Sequence, residues 1–140
     1  MARIRVELQS VEVVEGQGIG EGNLELNLKV QEGNHKVYWP DPYPAYRVVD
    51  QGGAVYGIGK TIATYEVTTG TLSKLYSIDA FEIDKGTLGQ DDLGHGNVTF
   101  ALTPTMAPAT QSVTITLKRP NMNAKGKVKV TLAAQQVGSR

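Results

Sequence analysis

The chain has 140 residues, with 14 basic and 14 acidic side chains, 40% hydrophobic residues and no cysteine. That length suits one domain, able to bury roughly 68–70% of its unfolded surface without a covalent staple. The missing cysteine excludes disulfides, thiolate zinc sites, iron–sulfur clusters and cysteine nucleophiles, and the balanced charge lacks the basic excess expected of a nucleic-acid binder.

The first residues, Met1-Ala2-Arg3-Ile4-Arg5-Val6-Glu7, alternate polar and apolar and hold no apolar h-region. They predict a strand rather than a signal peptide, and no run approaches the roughly 20 apolar residues of a spanning helix. The expected location is cytoplasmic, or exported without a cleaved signal peptide.

The period-2 pattern of a half-buried strand continues along the chain. It takes in Ile4, Val6 and Leu8, then Leu24, Leu26, Leu28 and Val30. Weaker segments follow at 46–49, 62–67 and 75–83. The pattern returns at Val98, Phe100 and Leu102, at Val113, Ile115 and Leu117, and at Val128, Val130 and Leu132. Connectors rich in Gly, Pro or Asn separate them: 16–22, Gly33-Asn34, Pro40 to Pro44, Gly52-Gly53, Gly86 to Gly96, and Asn121 to Gly126. No stretch of helical length shows 3.6-residue periodicity. The prediction is all-β: a single domain over 1–140, an antiparallel β-sandwich of about 7–8 strands, with an OB-type barrel as the alternative.

Several motifs lose to plainer readings. Gly53 to Thr61 resembles a phosphate loop, but it has one residue too many before Gly59-Lys60-Thr61, and β-branched and aromatic residues follow where a helix is needed. A glycine-rich hairpin or bulge is expected there. His35 and His95 are far apart and read as solvated loop histidines. No Gly-x-Ser-x-Gly elbow exists, and a non-enzyme is expected. Asn97-Val98-Thr99 fits the glycosylation pattern and is idle without a leader. The segment from Tyr38 to Tyr46 holds the one Trp and three prolines. It reads as a stiff loop whose rings cover one end of the sandwich, or as a stacking platform.

Two acidic connectors carry the sharper signal. Glu82-Ile83-Asp84 opens a glycine-bearing loop that closes with Asp91-Asp92-Leu93-Gly94, and Glu15 and Glu21 flank a second such loop. Hard carboxylate oxygens on two loops suit Ca2+. Here the sequence resembles the C2 domain, the phospholipid-binding β-sandwich. In that family a strand ends in an acidic residue, any residue and Asp, and several residues later come Asp, two residues and Gly. Glu82, Asp84, Asp91 and Gly94 follow that order with about one extra residue, and Glu15 and Glu21 have the six-position spacing of the family's first loop. Residues 34–74 match poorly, and Glu stands at 15, 21 and 82 where the family usually has Asp.

The resemblance implies a divergent, non-catalytic binding module. A Ca2+ ion would be held by Glu15, Glu21, Glu82, Asp84, Asp91 and Asp92, with docking to an anionic membrane surface or a protein partner. Ile19 and Leu88 would be the loop tips, and Lys118, Arg119, Lys125, Lys127 and Lys129 the basic run that meets anionic lipid. The competing expectation is a structural subunit that self-assembles into a coat, filament or appendage through its edge strands, as a homo-oligomer.

Overall fold

A computed structural model of the chain describes residues 1–15, 24–49, 54–83, 92–118 and 124–139. Among these, nine antiparallel strands and no helix occur: β1 (Ala2–Glu15), β2 (Leu24–Glu32), β3 (His35–Trp39), β4 (Arg47–Val49), β5 (Val55–Val67), β6 (Leu72–Glu82), β7 (Asp92–Leu102), β8 (Ala109–Lys118) and β9 (Ala124–Ser139). They follow the order β3-β2-β6-β7-β8-β9-β1-β5, with β4 beside β2.

The path is continuous only in name, because β7 and β8 share a single pairing, Leu93 with Lys118. Beyond it β8 crosses over β7 without ladder pairing, leaving two layers: β3/β4-β2-β6-β7 and β8-β9-β1-β5. Alternation explains the packing between them. Leu24, Leu26, Leu28 and Val30 of β2, Tyr76, Ile78 and Ala80 of β6, and Phe100 and Leu102 of β7 line one inner face. Ile4, Val6, Leu8, Val11 and Val13 of β1, with Ile115, Leu117, Val128, Val130 and Leu132, line the other. The result is the predicted sandwich, the two inner faces forming one core.

The corner between the layers depends on glycine. A Cβ on Gly94 would lie 2.5 Å from both Ile115 Cγ2 and the Thr116 carbonyl oxygen, and one on Gly96 would lie 2.9 Å from Val113 Cγ2. The bare backbone of β7 therefore lets β8 fold closely over it. Gly94 and Gly96, expected in a connector, belong to a strand for this reason.

Other local expectations shift as well. Of the hairpin or bulge expected in 53–61, the bulge is what forms: Val55 to Lys60 is the first half of β5, its register against β1 slips between Gly57 and Lys60, and Gly59 (φ 69°) sits there in the left-handed region. The 46–49 segment shortens to three residues, and a separate strand at 35–39 raises the count to nine. Gly126 likewise lies within β9.

Candidate functional site

The strand register sorts the connectors by end. Glu15 closes β1 opposite Lys127 near the start of β9, and Val55 opens β5 opposite Glu12. Glu82 closes β6 opposite both Leu26 of β2 and Asp92, the first residue of β7. Lys118 closes β8 against Leu93 and Ala124. The strand ends that flank 16–23, 50–53, 84–91 and 119–123 therefore all lie at one end of the sandwich. The described flanks of both acidic connectors are therefore at that end. Glu21, Asp84 and Asp91 lie outside the described residues, as do the loop tips Ile19 and Leu88, Arg119, and the side chains of Glu15, Asp92 and Lys125.

Of the six proposed ligands, Glu82 alone has a described side chain. It occupies a core-facing position at the mouth between the layers, continuing the series Tyr76, Ile78, Ala80, and is 7% exposed. Its Oε2 accepts from the Glu25 backbone N–H at 3.4 Å, beside the Ile83 N–H to Glu25 carbonyl bond of 2.7 Å. A carboxylate this buried needs compensating dipoles or charge, and the β2 backbone supplies one. Among the described residues no three His, Asp or Glu side chains converge.

The basic run is already partly matched. Lys129 Nζ lies 3.9 Å from Glu12 Oε1 on the outer face of the β1–β9 pair. Exposed pairs of this sort contribute little, but they reduce the net positive field available to a lipid surface.

The aromatic segment does not cover an end. Asn27, fully buried on the outer face of β2, donates its amide to the carbonyls of Pro40 (2.9 Å) and Ala45 (2.7 Å). It thereby staples the excursion between β3 and β4 onto the sheet, and Tyr43 packs on Tyr38 and Phe81 of that face, with ring centroids 5.8 and 5.0 Å apart. Trp39 points inward instead, 5.5 Å from the ring of Tyr56. Arg47 donates to the Tyr56 hydroxyl at 2.7 Å and lies over both rings, while Lys60 Nζ donates to the Tyr38 carbonyl at 2.9 Å. Together they plug the open side between β3/β4 and β5. With Trp39 buried, little is left of a stacking platform.

Neither histidine is a loop residue. His35 begins β3 and meets the Tyr65 ring edge-on at 5.8 Å. His95 lies in β7 with Nδ1 2.7 Å from Asp79 Oδ1, a cross-strand pair on an exposed face. That pair becomes legible only once the β6–β7 register is known.

The opposite end of the sandwich carries a network that alternation could not reveal. Tyr65 of β5 donates its hydroxyl proton to Glu32 Oε1 at 2.6 Å. With that one proton committed, the Tyr76 hydroxyl, 2.6 Å away, donates to Tyr65 in turn. Lys74 Nζ stands 3.8 Å from Glu32 Oε2 and over the Tyr65 ring. Burial pushes the Tyr76 hydroxyl up to about 12 and raises Tyr65 further, with the bond to Glu32 adding to the latter. Glu32 and Tyr76 belong to one layer and Tyr65 to the other, so the network ties the layers together.

Neither a protein-family model nor a curated protein matches the sequence. Among solved structures the chain is similar to the C2A domain of a plant extended synaptotagmin 1, at 12% identity over 99% of this chain and 97% of that domain, with a TM-score of 0.44. At that score the overlap is loose, and the sandwich assignment stands on the strand pairings above.

Proposed function

We propose that the chain is a non-catalytic, C2-like binding module whose connector end is its binding end. The supporting observation is topological: the flanks of both acidic connectors, Glu15 on one layer and the adjacent Glu82 and Asp92 on the other, lie at the same end. Acids clustered where two layers meet repel one another, and a divalent cation relieves that repulsion. In this reading Glu15, Glu21, Asp84, Asp91 and Asp92 supply the outer ligands to Ca2+. Glu82 forms the inner wall of the site, its carboxylate held in place by the Glu25 N–H. The bound ion then bridges to the phosphate of an anionic membrane surface or to an acidic group on a protein partner.

Thermal unfolding in calcium, in magnesium and in chelator tests the reading. Calcium at a hundred times its dissociation constant adds about 2.7 kcal/mol, a rise of roughly 5–10 °C for a domain of this size. The rise should be absent in magnesium and in the Asp84→Asn, Asp91→Asn double variant. Superimposable curves in all three buffers sink the metal assignment.

A further inference from the structure

Trp39 is spent on the core, but the excursion between β3 and β4 leaves one ring outside. Tyr43 is 40% exposed and packs between Tyr38 and Phe81 on the outer face, where the Asn27 amide holds its segment. Beside it the register lays a polar row across the strands. Tyr38 is opposite Lys29, Lys29 opposite Asp79, and Asp79 opposite His95. With strands about 4.8 Å apart, Lys29 to His95 spans about 10 Å, the length of a disaccharide. Asp79 and His95 fix each other yet stay open to solvent, their side chains 35% and 54% exposed. A carboxylate only accepts, so His95 Nδ1 carries the shared proton and Nε2, on the far side of the ring, is free for a further bond. Asp79 Oδ2 likewise has no partner among the described residues.

We infer that this face binds a neutral carbohydrate, a chain of pyranose rings lying along Lys29, Asp79 and His95 with one ring against Tyr43. Sugar fits both halves of the site. Its hydroxyls donate to Asp79 Oδ2 and bond His95 Nε2, and they accept from Lys29, while ring C–H groups lie on the tyrosine. Among the described strand residues of this face, Lys29 and Lys36 balance Glu25 and Asp79, so no net field draws a phosphate or a nucleic acid. An apolar peptide would bury the free atoms of the His95–Asp79 pair unmatched. Because that pair is set before the ligand arrives, less ordering is needed on binding. The site uses none of the acids proposed for calcium and does not rest on that reading.

Amide NMR spectra of the chain in chelator, with maltohexaose, cellohexaose, xylohexaose or chitohexaose at up to about 5 mM, a level that reveals millimolar affinity, test it. At least one sugar should shift amides within 77–81 and 93–97 in a saturable manner. Asp79→Ala should weaken that binding about tenfold or more, as loss of a charge-assisted hydrogen bond does. Tyr43→Ala should weaken it about threefold or more through loss of the ring contact. Each variant should melt within about 3 °C of the parent, and should Tyr43→Ala unfold, Asp79→Ala alone decides. No saturable shift with any of these sugars overturns the inference. So do shifts confined to the connector end, binding that survives Asp79→Ala, and shifts at the same amides that inorganic phosphate reproduces at equal concentration.

Discussion

The two ends of the sandwich are built on opposite plans. At one, β2 turns into β3 through Gly33-Asn34, and Glu32, Tyr65 and Tyr76 close the gap between the layers with one hydroxyl–carboxylate and one hydroxyl–hydroxyl bond, each 2.6 Å. At the other, the strands hand over to glycine-rich connectors that carry Glu21, Asp84 and Asp91. Glu32 and Glu82 make the contrast concrete, since each is a carboxylate at a core-facing position near one end of its strand. Glu32 is consumed by two partners from the fold itself, Tyr65 and Lys74. Glu82 is turned to the β2 backbone at the mouth of the connector end. A polar group whose partners come from the fold serves the fold. In the proposed reading, the acids on the connectors serve a ligand instead.

Substitutions should separate the two plans by size of effect. Gly94→Ala is expected to be the most damaging, at about 3 kcal/mol, because its Cβ meets a backbone oxygen that cannot move aside. Denaturant unfolding should show the loss although the residue lies only two positions inside the connector end. Normal stability would mean that the β7–β8 corner is looser than described.

Tyr65→Phe follows at about 2 kcal/mol, since it removes the shared hydroxyl, taking the partner from Tyr76 and leaving Glu32 with Lys74 alone. The same network carries a pH signature. Tyr76 titrates higher in the folded state than its ordinary 10, so its contribution is intact below pH 10 and declines as pH rises towards about 12. The parent should lose stability more steeply across that window than Tyr76→Phe does, as alkaline melting curves can show. Parallel curves would indicate that the hydroxyl is solvated.

Smallest should be Asp91→Asn measured in chelator, below about 0.5 kcal/mol. A larger loss would make that acid part of the scaffold and remove the contrast between the ends.

How far these features were legible before folding depends on their range. The inner-facing residues of β1, β2, β7, β8 and β9 followed from alternation, because a strand puts every second side chain on one face whatever its neighbours are. Residues 34–74 were read poorly. β3 and β4 are short edge strands around a proline-rich excursion, and their pairing depends on the Asn27 amide, a donor set by tertiary contact alone. Gly94 and Gly96 were misplaced because glycine signals a connector in one dimension, whereas here it answers to Ile115 and Val113 of another strand. His95 and Asp79 are 16 residues apart and meet only through the β6–β7 register.

By itself, then, the amino-acid order determined that this chain is all-β and which side chains of β1, β2, β7, β8 and β9 enter its core, since hydrophobic periodicity is a local property that survives without knowledge of pairing, while sandwich against barrel was left to the strand pairings. It also marked Glu15, Glu21, Glu82, Asp84, Asp91 and Asp92 as acids on connectors. Only the tertiary structure decided that the flanks of those connectors share one end and that Glu82 faces inward. It also decided that tyrosines from opposite layers form one hydroxyl chain ending on a single carboxylate. Each of these depends on which strands become neighbours, a choice made by the burial of the whole core at once.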